Sequence, residues 1–101
     1  MALGDKWLCA ICAAPALVLA PLGLLEGRKF TCYPGLEEKV SGAQFRSDRV
    51  VVDSNSSGKG GIITSRGAGT AGEFSIAIIS KLLNETKGKE IAEKVLLKVF
   101  P

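Results

Sequence analysis

The hydrophobic positions of this chain fall into short runs with strand character and longer runs with helical spacing. Strands are predicted for four segments: Lys6–Ile11, Lys29–Tyr33, Arg49–Asp53 and Gly61–Ser65. Helices or helical turns are predicted for four others: Ala13–Leu22, Leu36–Gly42, Thr70–Leu83 and Lys87–Val99. Because strands and helices alternate through most of the chain, the pattern predicts an α/β layered fold with a parallel central sheet.

Two of these strands, Arg49–Asp53 and Gly61–Ser65, are predicted to form a hairpin. The segment between them, Ser54–Gly60, has the Ser-, Asn- and Gly-rich composition of a flexible connector. It is long for a hairpin loop, and the sequence assigns it no function.

The helix from Thr70 is the most clearly marked element. Thr70 and Glu73 have the spacing of a capping box, in which a hydroxyl and a carboxylate accept hydrogen bonds from free backbone N–H groups. Apolar residues recur behind them at intervals of three and four: Phe74, Ala77, Ile78, Ile79, Leu82 and Leu83. Ile76 widens this apolar surface, so the helix is expected to pack on two sides. In the last helix, Ile91, Val95 and Val99 are predicted to face inward, and Lys89, Glu90, Glu93 and Lys94 outward.

The first strand ends in a sequence typical of a sharp turn into a helix. The run from Leu8 reaches Cys12 and then breaks into Ala13, Ala14 and Pro15. Proline is tolerated in the first turn of a helix because its missing N–H would be unpaired there. A side chain at such an elbow projects at the positive end of a helix, where a thiolate is stabilised. Cys12 is therefore the leading candidate for a reactive residue.

Length and composition narrow the classes of function. With 101 residues, 47% of them hydrophobic and 23% charged, the sequence is typical of one small globular domain. The net charge is +3, but the basic residues are scattered without interleaved aromatic side chains, so nucleic-acid binding is not expected. The sequence contains no histidine. This excludes the usual general base, the commonest metal ligand and a Cys–His dyad within this sequence.

The three cysteines form no recognisable disulfide framework, which favours a reducing, intracellular setting. Cys9 and Cys12 spell C-x-x-C, the pattern of thioredoxin-type dithiols and of half a zinc site. On one strand, an offset of three would place these two side chains on opposite faces. A zinc site would need a second pair of ligands, and Cys32 is the one remaining cysteine. Both alternatives stay open, but Cys9 and Cys32 are expected to be small buried hydrophobic residues.

The apolar stretch from Trp7 to Leu25 follows Lys6 and resembles a signal peptide or a transmembrane helix. Pro15 and Pro21 interrupt it, and Asp5 weakens the basic region that precedes a signal sequence. The stretch also divides into a strand-like and a helix-like part. We therefore expect no membrane association, with an export signal as the alternative.

Four motifs resemble the PfpI-like superfamily, and within it the branch of Parkinsonism-associated protein deglycases with their plant relatives. In chain order they are Ala10–Ala16 (AICAAPA), Gly27–Pro34 (GRKFTCYP), Arg49–Asp53 (RVVVD) and Thr64–Phe74 (TSRGAGTAGEF). The first is similar to the nucleophile elbow of the family. The resemblance extends over nearly the whole chain but covers only the C-terminal half of the family domain. Residues 1–101 are therefore interpreted as the C-terminal part of a PfpI-like domain.

The resemblance implies a flavodoxin-like, three-layer α/β sandwich of the class I glutamine amidotransferase type, incomplete here because half is missing. Cys12 would be the nucleophile, and the Ala13 N–H would be one oxyanion donor. Tyr33 stands where many members have histidine; its phenol could donate a hydrogen bond to a substrate but is a poor base at neutral pH. Ala68 replaces the usual proline of the Ser65–Thr70 loop, which is expected to leave this wall of the pocket less rigid.

In the family, a glutamate from the first half serves as general acid/base, and a glycine there gives the second oxyanion donor. No residue of this sequence takes these roles, because Glu26, Glu37 and Glu38 lie on other segments. Loss of such a general acid/base typically lowers a rate by about 10²- to 10⁴-fold.

Three hypotheses of function follow. The first is a cysteine-dependent glyoxalase or protein deglycase acting on methylglyoxal or glycated groups. The second is a non-catalytic redox-sensing or chaperone-like stress protein with an oxidisable cysteine, and the third is a truncated product without activity of its own. We expect no cofactor and no metal. The expected partners are a small aldehyde or glycated substrate and a second copy in a homodimer, in the cytoplasm, with the nucleus or a plastid as alternatives.

Overall fold

The computed structural model describes residues 4–95 and Leu97. The strands in this part of the chain are β1 Trp7–Ile11, β2 Lys29–Phe30, β3 Gln44–Phe45, β4 Val50–Ser54 and β5 Gly61–Ser65. The α-helices are α1 Ala71–Leu82 and α2 Glu85–Lys94. Three short helical segments accompany them: a π-helical turn over Pro15–Leu19 and 3₁₀ turns over Leu36–Lys39 and Ala68–Thr70.

The main sheet has the strand order β1-β5-β4. β1 runs parallel to β5, whereas β4 runs antiparallel to it, because β4 and β5 are the two arms of the predicted hairpin. β2 and β3 form a separate parallel pair. The predicted α/β class is confirmed, and the sheet is mixed rather than purely parallel.

The two faces of this sheet are covered by different segments, which gives three layers. On one face, Ala10 and Ile62 pack in a buried cluster with Leu25 and Phe30, which come from the segment between β1 and β3. On the other face, fully buried Ile63 lies toward α1, and α2 packs against α1. The C-terminal ends of β1 and β5 emerge between these layers.

A salt bridge with neighbouring hydrogen bonds connects the start of β2 to the β4–β5 hairpin. Arg28 Nε donates to Asp53 Oδ2 at 3.0 Å, and its Nη1 donates to Asn55 Oδ1 at 3.0 Å. The Lys29 N–H donates to the same Asp53 oxygen at 2.8 Å. These bonds fix the start of β2 against β4 and so set the path of the chain toward Tyr33.

The predicted helix Ala13–Leu22 is wrong in length and type. Hydrogen bonds from the Ala20 N–H to the Pro15 carbonyl (3.0 Å) and from the Leu24 N–H to the Leu19 carbonyl (3.1 Å) each span five residues. Pro21 has no N–H with which to continue a regular ladder. The apolar stretch that resembled a membrane span is thus divided between β1 and a short π-helical turn, and no helix among the described residues has the length and apolar character to cross a bilayer.

The second predicted strand is also shorter than expected. It was predicted over Lys29–Tyr33 but ends at Phe30. The Thr31 N–H donates to the Thr64 hydroxyl at 2.9 Å rather than to a neighbouring strand. Its partner β3 was not predicted, since two residues carry no detectable periodicity.

The predicted capping box at the start of α1 is wrong. The Thr70 hydroxyl bonds within the preceding loop, to the Gly67 N–H at 3.2 Å and to the Gly67 carbonyl at 2.9 Å. The Glu73 carboxylate pairs instead with Arg49, whose Nη2 lies 2.8 Å from Oε1. Thr70 is therefore engaged in its own loop and Glu73 in a tertiary ion pair, so neither side chain caps the helix.

The last helix begins earlier than predicted, at Glu85, because the Asn84 side chain accepts a hydrogen bond from the Lys87 N–H at 2.7 Å. Gly88 and Ala92 form its buried face. Val95 was predicted to face inward but is 62% exposed, and Ile91 is partly buried. Val99 lies outside the described residues. The residues predicted to face outward are exposed: Lys89, Glu90, Glu93 and Lys94.

Candidate active site at the strand elbow

Cys12 lies immediately after β1 and has a left-handed backbone, with φ at +65°. Among the described residues it is the one non-glycine residue with positive φ. For an L-residue this conformation costs about 1–2 kcal/mol, so the surrounding structure must hold it. Strained backbone of this kind is concentrated at functional sites.

Two backbone hydrogen bonds hold the elbow. The Cys12 N–H donates to the Ser65 carbonyl at 3.0 Å, which extends the β1–β5 pairing by one residue. The Cys12 carbonyl accepts from the Tyr33 N–H at 2.7 Å. Cys12 is thus fixed on one side by the end of β5 and on the other by the segment after β2.

Cys12 is followed by a backbone N–H that is available as a hydrogen-bond donor, and by a short helical turn rather than the predicted long helix. No hydrogen bond is formed by the Ala13 N–H to any described residue, whereas its carbonyl accepts from the Leu17 N–H at 2.9 Å. Because the Pro15–Leu19 turn has only five residues, fewer peptide dipoles are aligned than the predicted helix would have provided. The Ala13 N–H is therefore the candidate donor next to the thiol.

Tyr33 lies beside Cys12, as the backbone bond between them requires, although 21 positions separate the two in sequence. Its side chain is 52% exposed. A β-carbon at Gly67 would lie 3.9 Å from the Tyr33 ring, so the loop after β5 borders the same surface. The structure therefore brings Cys12, Ala13 and Tyr33 to one end of the sheet.

The loop after β5 is held by side chains that the sequence analysis did not single out. Ser65 Oγ donates to the Arg49 carbonyl at 2.6 Å and also contacts the Thr70 hydroxyl. Arg66 Nε donates to the Cys32 carbonyl at 3.0 Å, and its guanidinium lies 5.5 Å from the centre of the Phe45 ring. The loop that carries Ala68 is thus secured by hydroxyl and guanidinium contacts on both sides.

Cys32 is fully buried, and its Sγ lies 3.5 Å from the Tyr33 carbonyl. Burial raises the pKa of the Cys32 thiol, the charge of Glu37 raises it further, and Arg66 opposes both. Cys9 is partly buried and pairs in register with Ile63, on the sheet face toward α1. Burial also raises the pKa of the Cys9 thiol.

The described residues contain no group of three or more side chains able to hold a metal ion. They also contain no carboxylate that is hydrogen-bonded to the Cys12 thiol. Glu37 Oε1 accepts instead from the Gly35 N–H at 2.8 Å, within its own turn. Glu26 and Glu38 are exposed. The site has the position of a nucleophile but no acid/base partner within the described residues.

The sequence profile of the DJ-1/PfpI family matches residues 1–81. This chain belongs to the DJ-1/PfpI family. "Protein DJ-1 homolog B" of Arabidopsis thaliana is 42% identical to it over 88 residues, which are 87% of this chain and 19% of that protein. "Glutathione-independent glyoxalase DJR-1.2" of Caenorhabditis elegans is 32% identical over 90 residues, covering 87% of this chain and 44% of that protein.

Solved structures of the family have the same architecture. The crystal structure of Drosophila melanogaster DJ-1beta superposes with a TM-score of 0.81 and 37% identity, over 94% of this chain and 48% of that one. The chain therefore spans about half the length, or less, of the DJ-1/PfpI proteins it matches. The predicted family and its three-layer α/β fold are confirmed.

Proposed function

We propose that Cys12 is the nucleophile of a glyoxalase or protein deglycase-like activity on methylglyoxal or early glycation adducts. The observation that carries this proposal is the left-handed backbone of Cys12 (φ +65°) at the point where the chain leaves the sheet. The name of the C. elegans relative supports the substrate class. Because the chain spans 44% of that relative, the activity is proposed for a whole domain of which residues 1–101 form the C-terminal part.

In the proposed reaction, the Cys12 thiolate attacks the aldehyde carbon of methylglyoxal. A C–S bond forms, and the carbonyl electron pair moves to oxygen, where the Ala13 N–H donates a hydrogen bond. Tyr33 is proposed to donate a second bond to the substrate from its exposed hydroxyl. A carboxylate then moves a proton from the sulfur-bearing carbon to the neighbouring carbon. The oxygen on the sulfur-bearing carbon becomes the carbonyl of a thioester, and the former ketone oxygen becomes a hydroxyl group. Water hydrolyses this thioester to lactate and returns the thiol.

The carboxylate is proposed to come from the remaining half of the domain, where the family resemblance places a glutamate. In the part of the chain that the structure describes, β1 pairs with β5 on one side and with no strand on its other edge. Open edges of this kind pair with added strands, and a strand added there would lie next to Cys12. Without the carboxylate, turnover by residues 1–101 is expected to be about 10²- to 10⁴-fold slower than that of the completed domain.

Lactate formation from methylglyoxal in the absence of glutathione tests this proposal. The assay compares this chain alone with this chain joined to the first half of a DJ-1/PfpI relative. Cys12→Ser is expected to abolish lactate formation in both samples, whereas Cys9→Ser, a matched change three residues away, leaves it within about twofold. Equal turnover by the wild type and Cys12→Ser would overturn the proposal.

A redox-sensing or chaperone-like role is a second candidate. Two differences among the thiols support it: Cys32 is fully buried whereas Cys12 is partly exposed, and burial raises the pKa of the Cys9 thiol. Accessible thiolates oxidise first. Mild peroxide is therefore expected to modify Cys12 before Cys9 or Cys32, and oxidation that starts at either of the other two would contradict this role.

We further propose that the protein forms a homodimer in the cytoplasm. Leu82 and Leu83, at the end of α1, are 61% and 65% exposed. Large apolar side chains that adjoin one another at a surface often mark a contact with another subunit. A molar mass of two chains by light scattering would support the dimer, and a monomer at all concentrations would exclude it.

A further inference from the structure

We propose that Cys32 is the resolving cysteine of Cys12, so that oxidation of this chain by a peroxide produces an intramolecular Cys12–Cys32 disulfide. This inference rests on the proposed reactivity of Cys12 but assigns a function to a residue that the glyoxalase chemistry does not use. It arises from two features of the elbow: the hydrogen bond that joins the two cysteine segments, and the packing of Cys32 around the turn.

The hydrogen bond places the two cysteine backbones side by side. The N–H that donates to the Cys12 carbonyl at 2.7 Å belongs to the peptide unit joining Cys32 to Tyr33. Backbones paired in this way lie about 4.8 Å apart, and disulfides bridge α-carbons about 4.4–6.8 Å apart. The hydrogen bond therefore holds the two cysteine backbones at a separation of the size that a disulfide bridges.

Cys32 packs in the interior next to the elbow rather than at the surface. Cys32 belongs to the buried cluster that contains Ala10 and Ala16, which lie on either side of Cys12 in the sequence. Because Cys32 is fully buried, a dissolved oxidant reaches Cys12 first, and only an oxidised neighbour is accessible to Cys32.

The chemistry balances with a hydroperoxide as the oxidant. The Cys12 thiolate attacks the peroxide O–O bond, which gives a sulfenic acid and releases an alcohol or water. Cys32 then attacks the Cys12 sulfur; the S–S bond forms, and hydroxide leaves and takes the Cys32 proton as water. Since burial and Glu37 raise the pKa of the Cys32 thiol, this second step is expected to accelerate as the pH rises.

Cys9 is the matched control. Cys9 and Cys12 have the spacing of a C-x-x-C dithiol. Cys9, however, lies on β1 and pairs in register with Ile63, on the sheet face toward α1. Cys32, in contrast, packs with Ala10 and Ile62 on the other face. The placement of the two thiols therefore favours Cys32 over Cys9 as the partner of Cys12.

Peptide mapping without reduction tests the proposal. The reduced, full-length chain is treated with about one equivalent of hydrogen peroxide, denatured in iodoacetamide and digested with trypsin. A disulfide between Cys12 and Cys32 links the tryptic peptides 7–28 and 30–39. This linked product is expected in the wild type and in Cys9→Ser, and it is expected to be absent in Cys12→Ser and Cys32→Ala. In Cys32→Ala, Cys12 should instead gain two oxygens.

Two results would overturn the inference: Cys12 with two added oxygens in the wild type while Cys32 is fully alkylated, or a linked product that persists in Cys12→Ser. The wild type and Cys9→Ser decide the question even if the buried substitution at Cys32 impairs folding. Lactate formation separates this inference from the proposed activity, because Cys32→Ala is expected to retain turnover within about twofold. If the wild type forms lactate at the expected rate but no Cys12–Cys32 disulfide, the disulfide proposal is refuted and the proposed glyoxalase activity is not.

Discussion

At the scale of single residues, the central feature of the molecule is a cysteine held in a backbone conformation that cysteine disfavours. Cys12 keeps its φ of +65° because the carbonyl of Ser65 and the N–H of Tyr33 bind its backbone from opposite sides. Sequence alone located this residue, because a strand that ends in Cys followed by small residues and proline is a local pattern. The supporting contacts of Ser65 and Tyr33 are long-range and were not predicted.

The strain at Cys12 is measurable as stability. Glycine adopts positive φ without the steric penalty of a β-carbon, so Cys12→Gly is expected to be more stable than Cys12→Ala by about 1 kcal/mol. Denaturant unfolding of the two variants measures the difference. An alanine variant that equals or exceeds the glycine variant would mean that the elbow is not strained.

The buried thiol of Cys32 makes stability depend on pH in the alkaline range. Its pKa is raised in the folded chain, so the unfolded chain releases this proton first, near the ordinary thiol pKa of about 8.5. Stability from this group is therefore complete below that pH and is lost as the pH rises toward the folded pKa. Thermal midpoints measured between neutral and strongly alkaline pH should fall less steeply in Cys32→Ala than in the wild type. Identical slopes would contradict this assignment.

At the scale of elements, prediction succeeded where local pattern and tertiary structure agree. β1, β4 and β5 were predicted with nearly correct bounds because their apolar runs are buried in the sheet. The helix start at Thr70 was predicted correctly, but for the wrong reason. Thr70 bonds back to Gly67 within its own loop, and Glu73 pairs with Arg49, a long-range contact that local spacing cannot reveal.

The packing of α2 on α1 depends on Gly88, which was not singled out from the sequence. A β-carbon there would overlap Ser80 Oγ and lie 3.3 Å from Ser80 Cβ. Gly88→Ala is therefore expected to destabilise the chain by about 1–3 kcal/mol despite its better helix propensity. Combining it with Ser80→Ala removes the worst overlap and should restore part of the loss.

Denaturant unfolding of the two single variants and the double variant measures this coupling. Effects that simply add would show that the two helices do not approach closely at Gly88. Ala92→Gly serves as a control in the same helix, because it removes a side chain without creating an overlap.

At the scale of the whole molecule, the chain forms three layers, but the sheet is open beside its candidate nucleophile. The outer edge of β1 has no partner strand among the described residues. The hydrogen bonds of Lys6 and Cys12 to β5 fix the direction of alternate peptide groups. By the two-residue repeat of a strand, the amides of Leu8 and Ala10 point toward β5, and those of Trp7, Cys9 and Ile11 point outward.

Hydrogen exchange tests this open edge. In the isolated chain, the amides of Trp7, Cys9 and Ile11 are expected to exchange quickly, whereas those of Leu8 and Ala10 are protected by β5. Adding the first half of a DJ-1/PfpI relative should slow exchange at the three outward amides if that half pairs with β1. Unchanged exchange in a mixture that has gained lactate-forming activity would place the added half elsewhere.

The separation of the site residues along the chain explains which parts of the site the sequence could predict. Cys12 and Tyr33 belong to motifs of their own and were identified separately; only the fold shows that their backbones are hydrogen-bonded to each other. Arg66 was not singled out because its bond to the Cys32 carbonyl joins segments 34 positions apart. Among residues 4–95, no carboxylate is hydrogen-bonded to the Cys12 thiol.

The most direct test of the central claim is the order in which the three cysteines react with a limiting amount of iodoacetamide at neutral pH. The native chain is pulsed, quenched and digested, and the modification of each cysteine is followed by mass spectrometry. We predict that Cys12 is alkylated first, at least about tenfold faster than Cys9 and Cys32. It is partly exposed beside the Ala13 N–H, whereas burial raises the pKa of the other two thiols. Equal rates, or faster modification of Cys9 or Cys32, would contradict the assignment of Cys12 as the nucleophile.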